Sequence, residues 1–555
     1  MNKKRVMIIG LDGATFDIIR PMAEAGRLPA ISELMLKGTW GNLRSTVLPV
    51  TPPAWASFMT GRNPGKHGVY GFYSSCEGTY ETQMVTGRSV RAKKIWNYLD
   101  DERIGLIDIP MTYPPEKING YMISGWPVPS DMSIFTHPPE LHTEIIREVG
   151  EYMIDKTFSS LPRSNPIEAL NNLYRYTTMR EDAALYLLKN KGPFDLFAVV
   201  FRGTDFIQHE AFKFFDESYC KANPEISAKF KDLIFQFYER IDSIVARLIT
   251  AMGEDAVTII MSDHGAGPMK KRFYINRWLR TEGFLSLKGV RFRQKGLTIG
   301  RKPLNEVLQR RGASFLNRFI PSAIRGIKVP YPGLNTIHPS SLIDWRRTRA
   351  FANLTWTDGL IRINMKGKGP QGIVEQKDYD RVRDDIIVKL LELKDPETGE
   401  MVIQNAFRKE EIYRGPYLSD APDIMVLTMD TSYVFSPALD DGVIFERPAD
   451  PAPAPHRMEG VFIAGGPEIK GGQVLSGLNI TDIAPTVLYL MGRPVPDGMD
   501  GRVISEALEE GYLKKNPPAY YEEGDGDRTA DNSKELSEEE KRVMEEGLRA
   551  LGYME

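Results

Sequence analysis

The strongest constraint on the fold is an apolar run that ends abruptly in polar residues. The run Ala256–Ile260 leads through Met261 and Ser262 into Asp263 and His264, and Gly265 follows. Such a run is typical of a central strand of a parallel sheet, which is buried on both faces. Open α/β sheets bind their ligands beyond the carboxyl ends of these strands. Because Asp and His are ligand-type side chains, we predict a metal site at the end of this strand.

Two further predicted strands lead into ligand-type residues in the same way. Asp12 follows the apolar stretch Arg5–Leu11, and Asp205 follows Asp195–Phe201. His209 comes four residues after Asp205, so the two side chains share one face if this turn is helical. Because parallel strands end at the same edge of a sheet, these residues are expected near the first site.

A third histidine completes the set of candidate ligands. His456 lies in a Pro-rich loop just before the predicted strand Gly460–Ala464. The chain has seven histidines, so three of the seven occur at predicted strand ends or beside them. Carboxylates and imidazoles without thiolates suit Zn²⁺ or Mn²⁺ better than Mg²⁺. The two cysteines, Cys76 and Cys220, are too few for a disulfide scaffold or a Cys-based zinc motif, and they suit a reducing compartment.

A short helix is predicted from Thr51 to the residue before Gly61. Thr51 precedes Pro52 in the pattern of an N-cap with proline at the first helical position, and Gly61 is a stop signal. The free N–H groups and the dipole of a helix N-terminus favour an anion. From these residues alone, Thr51 could be an anion-site residue or simply a cap.

Strands that alternate with helices predict an α/β fold. We expect a doubly wound, mostly parallel central sheet with helices on both faces and an inserted basic α+β cap. Because 555 residues exceed one average domain, we divide the chain into four parts. Residues 1–286 form the first part of the core, 287–419 the cap, 420–512 the second part of the core, and 513–555 an acidic linker with a short C-terminal helix.

Charge and hydropathy bear on partners and location. The segment Lys288–Lys328 is rich in Arg and Lys with interleaved apolar residues, so it either contacts an anionic membrane surface or anionic ligand or is a solvated basic insert. A net charge of −3 does not indicate a nucleic-acid polymer as partner. The apolar run Val6–Leu11 is too short for a signal peptide, and no apolar window approaches the ~20 residues of a membrane span. We therefore predict a cytoplasmic protein; its oligomeric state stays open.

The motifs and their order resemble a known family. They are Thr51–Trp55 through Gly61, Asn63–Gly68, Ser262–Gly265 and Asp482–Gly492. Together they resemble the type I phosphodiesterase/nucleotide pyrophosphatase family of the alkaline phosphatase superfamily. The resemblance extends from Arg5 to about Gly501, apart from the insert.

The resemblance implies a hydrolase with two divalent metal ions, usually zinc. One ion would be held by Asp12, Thr51, Asp263 and His264. The other would be held by Asp205, His209 and His456. Thr51 would also be the nucleophile, so the implied reaction is hydrolysis of a small phosphodiester or pyrophosphate through a phospho-threonine intermediate.

One position departs from the family pattern. Relatives that cleave nucleotides commonly carry Asn three residues after the nucleophile, where this chain has Ala54. Pro52 and Pro53 cannot donate N–H groups. Oxyanion stabilisation would then come from the metals, the Thr51 N–H, the basic insert or Lys66, and we name Lys66 and Trp55 as candidate substrate-binding residues. The alternatives are a phosphomonoesterase, mutase or phosphotransferase on the same fold, or a non-catalytic, metal-stabilised binding protein.

Overall fold

The computed structural model describes most of the chain. The described residues are 3–130, 133–154, 166–215, 217–288, 339–352, 354, 358–447, 454–524 and 542. All of the predicted basic segment Lys288–Lys328 except its first residue lies outside them. So does the predicted C-terminal helix, apart from Arg542.

The described residues form short and long strands throughout the chain. In chain order they are β1 Arg5–Leu11, β2 Thr39–Arg44, β3 Tyr73–Ser75, β4 Thr82–Met84, β5 Ile104–Ile107, β6 Gly120–Ile123, β7 Thr136–His137, β8 Leu196–Phe201, β9 Ala256–Met261, β10 Gly265–Ala266, β11 Lys271–Tyr274, β12 Ala350–Ala352, β13 Leu360–Ile363, β14 Ile403–Arg408, β15 Ile424–Thr428, β16 Tyr433–Ser436, β17 Phe445–Glu446, β18 His456–Arg457, β19 Glu459–Gly465, β20 Gln473–Asn479, β21 Val495–Pro496 and β22 Tyr520–Tyr521.

Along the chain, most of the α-helices connect strands of the central sheet. The α-helices are α1 Phe16–Glu24, α2 Pro29–Lys37, α3 Thr51–Thr60, α4 Pro64–His67, α5 Leu141–Val149, α6 Pro166–Lys191, α7 Gly203–Ala211, α8 Glu217–Ala222, α9 Pro224–Met252, α10 Ile275–Thr281, α11 Tyr379–Leu391, α12 Lys409–Ile412, α13 Ile483–Leu490 and α14 Glu510–Lys515. Within the described part of the chain, no helix is both long enough and apolar enough to cross a membrane.

Nine strands form one mixed, mostly parallel sheet in the order β20-β2-β19-β9-β1-β8-β5-β6-β7. The strands β9, β1, β8, β5 and β6 are parallel to one another. Only β19 and β7 run antiparallel to their neighbours. The helices α9 and α13 both contact the central strand β1 but belong to separate groups of packed helices. The predicted α/β class with a doubly wound, mostly parallel sheet is confirmed.

The central strands are apolar because neither face of the sheet meets water. Every residue of β8 and β9 is buried, as are six of the seven in β1. These three strands belong to one hydrophobic core that also includes the apolar faces of α1, α9 and α13. Because helices cover both faces of the sheet, apolar and polar residues do not alternate along these strands.

A second, smaller core lies in the insert. The strands β12, β13, β15 and β14 form an antiparallel sheet. The strands β16, β11 and β17 form a mixed sheet, in which β11 is parallel to β16 and antiparallel to β17. Their shared core extends from Phe273 to Phe445, so the described residues from 271 to 447 are here called the cap. The division predicted between residues 419 and 420 cuts through this core, since β15 pairs with β13 and β14 rather than with the central sheet. A short apolar run such as β15 fits either sheet, and only its hydrogen-bonding partners decide between them.

Candidate active site

Topology brings the three predicted aspartates to one edge of the sheet. The strands β9, β1 and β8 are adjacent and parallel, so their carboxyl ends lie side by side. Asp12 follows β1, Asp263 follows β9, and Asp205 lies in the first turn of α7, directly beyond β8. Because β19 runs antiparallel to β9, its beginning reaches the same edge. His456, three residues before β19, is thereby brought to the aspartates.

Thr51 reaches this edge from β2. That strand runs antiparallel to β19, so its carboxyl end lies beside the beginning of β19 at the same edge, and residues 45–50 then lead into α3. Val50 is the N-cap and Thr51 the first helical residue, so the cap lies one position earlier than predicted. Pro52 and Pro53 fit because the first turn of a helix needs no N–H donors. All ten residues of α3 are buried, and Gly61 ends the helix in the left-handed conformation, as predicted.

Asp205, His209 and His456 form one compact group of possible metal ligands. The Nε2 atom of His209 lies 3.2 Å from Oδ1 of Asp205. The Nε2 atom of His456 lies 3.5 Å from the same oxygen. The two Nε2 atoms are 3.1 Å apart. One oxygen and two nitrogens therefore converge on one small volume.

A second group surrounds His264. Its Nε2 atom lies 3.2 Å from Oδ2 of Asp263 and 3.7 Å from Oδ1 of Asp12. The ligand atoms of Asp12, Asp205 and His264 also lie within 4.8 Å of one another. Asp205 therefore stands between the two groups. The ribbon β10–β18 joins them as well, because it stacks the rings of His264 and His456 at 3.5 Å.

Backbone carbonyls orient both central histidines. Nδ1 of His456 lies 2.8 Å from the carbonyl oxygen of Pro49, and Nδ1 of His264 lies 3.0 Å from that of Gly265. With Nδ1–H donating to a carbonyl, Nε2 carries the lone pair and faces the carboxylates. This is the arrangement typical of a metal-ligating histidine.

The electrostatics of the edge are those of a site built around cations. Burial, and then the charge of Asp205, raises the pKa of Asp12 to about 7. Burial, and then the charge of Asp12, raises the pKa of Asp263 well above its usual value. Burial lowers the pKa of His264 to about 4, which keeps this imidazole neutral and able to bind a metal. Crowded carboxylates beside neutral imidazoles stay ionised when a divalent ion lies between them.

Among the buried side-chain polar atoms that lack a hydrogen-bond partner in the described part of the chain, four come from Asp12, Thr51, Asp263 and His264. They are Oδ1 of Asp12, Oγ1 of Thr51, Oδ2 of Asp263 and Nε2 of His264. A buried polar atom left without a partner typically costs about 1–3 kcal/mol. All four belong to the set that the family resemblance assigned to one metal. The residues present therefore fit a divalent cation that prefers oxygen and nitrogen ligands, such as Zn²⁺ or Mn²⁺.

Two side chains hold Asp12 from the side opposite His264. The indole Nε1 of Trp55 donates to Oδ2 of Asp12 at 3.3 Å, and Nε of Arg202 lies 3.4 Å from the same oxygen. Trp55 is fully buried, and its indole N–H contacts this carboxylate; its role in binding substrate stays a prediction. Sequence reasoning missed Arg202, although a charged residue directly after the buried strand β8 was a usable signal.

The structure does not bring Lys66 to this edge. Its Nζ pairs with Asp500 at 2.7 Å and donates to the carbonyl of Gly498 at 2.9 Å. Lys66 also lies beyond the far end of α3, a ten-residue helix about 15 Å long. The contacts of Lys66 therefore tie the end of α3 to the segment after α13 and do not support its predicted role in binding substrate.

Gly13 allows Asp205 to approach Asp12. Its φ is +69°, and a Cβ there would lie 2.9 Å from Oδ1 of Asp205. The Gly13 N–H donates to Oδ1 of Asp263 at 3.2 Å, and the Gly13 carbonyl accepts from Gln208 at 2.7 Å. The close packing of three strand ends thus depends on a residue without a side chain.

We expect Gly13→Ala to weaken metal binding and to destabilise the fold by about 1–3 kcal/mol. Gly26→Ala is the matched control, because Gly26 has φ +72° and nothing within 4 Å of an added Cβ. It carries the same conformational cost without the clash. Thermal unfolding with and without Zn²⁺ measures both variants. An equal shift in the two, with an unchanged response to Zn²⁺, would mean that the approach of Asp205 is not critical.

Comparisons with known proteins agree with the family that the sequence motifs resemble. A family model described as type I phosphodiesterase/nucleotide pyrophosphatase matches residues 6–460, more than half of the 555 residues. The chain belongs to this family. Its enzymes hydrolyse phosphodiester and pyrophosphate bonds and depend on divalent metal ions. No curated protein matches the sequence.

Several solved structures are similar to this one. Human ectonucleotide pyrophosphatase/phosphodiesterase 5 is 13% identical over 91% of this chain and 100% of that one, with a TM-score of 0.49. An inactive murine form in complex with AMP is 12% identical with the same coverage and a TM-score of 0.46. Phosphonoacetate hydrolase from Sinorhizobium meliloti 1021, in complex with phosphonoacetate, is 15% identical over 88% of this chain and 96% of that one, with a TM-score of 0.48.

Proposed function

We propose that this protein is a metal-dependent phosphodiesterase or pyrophosphatase that acts through a phospho-threonine intermediate on Thr51. The observation that carries the proposal is the position of Thr51. Its buried hydroxyl lacks a hydrogen-bond partner among the described residues, at the start of α3. It lies two residues after Pro49, whose carbonyl accepts from the candidate ligand His456.

Two divalent ions, Zn²⁺ or alternatively Mn²⁺, are proposed to complete the site. Asp12, Thr51, Asp263 and His264 would hold one ion, and Asp205, His209 and His456 the other. When bound, such ions supply Lewis acidity and lower the pKa of oxygens bound to them. Burial lowers the pKa of His264 and of His456, which keeps these two imidazoles neutral and favours this role.

The chain's own residues account for the rest of the chemistry. The Thr51 oxygen attacks phosphorus, a new O–P bond forms, and the bond from phosphorus to the leaving oxygen breaks. The Thr51 proton ends on the leaving alcohol or phosphate, and phosphorus keeps its other ester group while it is bound to Thr51. Water then attacks this phosphorus, so that a phosphomonoester leaves and the Thr51 hydroxyl is restored. Among the first three residues of α3, Thr51 alone has a backbone N–H to offer the phosphoryl oxygens, since Pro52 and Pro53 have none.

The charge of the site favours a phosphodiester over a phosphomonoester. Two divalent ions against three carboxylates leave about one positive charge, and the buried Arg202 adds another. Once Thr51 has lost its proton, about one positive charge would remain, and it would balance the single negative charge of a diester. Ala54 provides no polar group for a phosphoryl oxygen, so binding would depend on the metals and the Thr51 N–H. A small phosphate ester is the proposed substrate; the cytoplasmic location stays a prediction.

We test this proposal by removing and restoring the metal. Dialysis against a chelator is expected to lower turnover of bis(p-nitrophenyl) phosphate by at least about 100-fold. Two equivalents of Zn²⁺ or Mn²⁺ should restore it, with p-nitrophenyl phosphate turned over more slowly. Faster monoester turnover would instead favour a phosphomonoesterase. Two bound ions without turnover of either ester would indicate a binding protein, and metal-independent turnover would refute the proposed site.

A further inference from the structure

Two turns with left-handed backbone angles flank His456. Leu48 has φ +61°, and the cap residues Asp430 and Thr431 have φ +49° and +52°. Residues with side chains rarely adopt these angles, and they persist where surrounding structure holds them. Both turns contact the same histidine. The carbonyl of Pro49 accepts from Nδ1 of His456 at 2.8 Å, and the Thr431 hydroxyl donates to the His456 carbonyl.

The cap holds the Leu48 turn by its side chain and by its backbone. Leu48 is buried in a small apolar cluster with Tyr70, Leu360, Tyr413, Ala421 and Met425. All of these partners except Tyr70 belong to the cap. The Tyr413 hydroxyl also donates to the carbonyl of Val47 at 2.9 Å. The strained turn is thus fixed from the cap side.

The same cap segment contacts the chain beyond the other end of α3. The carbonyl of Arg414 accepts from the Asn63 side chain at 3.0 Å, and the Tyr417 N–H donates to the carbonyl of Gly65 at 3.0 Å. Tyr413, by comparison, contacts the turn before the helix. Five consecutive cap residues, Tyr413–Tyr417, therefore contact the chain on both sides of the helix that begins with Thr51.

We propose that the cap positions the active site through Tyr413 and the pocket around Leu48, which together set the places of Thr51 and His456. A shift of the Leu48 turn moves the carbonyl of Pro49, which orients the imidazole of His456. It also moves Thr51, three residues later. The inference rests on the proposed function for its kinetic consequences, and on geometry alone for the orientation of His456.

Removing the Tyr413 hydroxyl tests the backbone contact. Because misplacing reacting groups by about 1 Å can cost 100-fold in rate, Tyr413→Phe should lower kcat by about 10- to 100-fold with little change in KM. Zn²⁺ affinity, measured by competition with a chromophoric chelator, should fall too. The control is Tyr70→Phe, which removes a hydroxyl that donates across the same interface to the Tyr417 carbonyl at 2.6 Å and keeps the ring that packs in the Leu48 cluster.

Substitutions of Leu48 separate anchoring from strain. Leu48→Gly removes the steric cost of the left-handed angle together with the buried side chain, so kcat and Zn²⁺ affinity should fall while relief of strain offsets part of the loss in Tm. Leu48→Met, which keeps an apolar side chain in the pocket, should stay near native. Native kcat and native Zn²⁺ affinity in both Tyr413→Phe and Leu48→Gly would overturn the inference. Absence of turnover in the native protein would count against the proposed function, while the Zn²⁺ measurements would still decide the positioning role.

Discussion

Thr51→Ala is expected to lower kcat for bis(p-nitrophenyl) phosphate by at least about 10⁴-fold, because no other side chain in the proposed mechanism attacks phosphorus. The variant should remain folded, since the change deletes a hydroxyl that has no hydrogen-bond partner among the described residues. Steady-state kinetics and thermal unfolding measure the two effects separately. Thr51→Ser keeps the hydroxyl and should retain most of the activity.

Thr60→Ala is the matched control for this prediction. Thr60 lies in the same helix and is also fully buried, but its hydroxyl donates to the carbonyl of Ala56 at 2.7 Å. Removing it should cost about 1 kcal/mol of stability and leave kcat close to native. If Thr51→Ala turned over substrate at the native rate, Thr51 could not be the nucleophile, whatever the metal content.

Asp205→Asn should have the second largest effect on turnover, because Asp205 belongs to both groups of candidate ligands. Replacing one carboxylate oxygen with an amide removes a negative charge that both proposed ions would share. Loss of an outer partner of a metal ligand typically costs 10- to 100-fold in metal affinity, so loss of a direct ligand should cost at least about 100-fold. We expect less than two bound ions per chain by elemental analysis, together with loss of turnover.

Asp242→Asn serves as the comparison for Asp205. Asp242 is also buried, but its oxygens accept from the backbone N–H groups of Ala30 and Ile31 at the start of α2. This variant should lose some stability and keep both the metal content and the response of its Tm to Zn²⁺. A native metal content in Asp205→Asn would contradict the proposed ligand set.

Local patterns determined much of the scaffold in advance. The predicted helix from Thr51 to the residue before Gly61 has the bounds seen in the structure, because proline at the start and glycine at the stop are strong local signals. The predicted strands before Asp12 and Asp263 are also present. Each of these features depends on neighbours within the same segment, so it could be recognised without knowing the tertiary structure.

The motifs also suggested which residues would lie together. Asp12, Asp205 and Asp263 were predicted at strand ends, and the adjacent parallel strands place them at one edge. The sequence could not show that Asp205 stands between both groups of ligands, or that the rings of His264 and His456 stack. Those relations depend on the order and register of strands that are distant in the chain.

The sequence by itself determined the apolar strands, the polar residues that follow them and the family pattern, because these are local or ordered features of the chain. Only the tertiary structure decided that Trp55 holds Asp12, that Lys66 pairs with Asp500, and that β15 belongs to the cap. Lys66 and Asp500 are 434 positions apart, so no local pattern could pair them. The same reason applies to Asp263 and His264: their identities were evident from the sequence, while their partners depended on how distant strands pack.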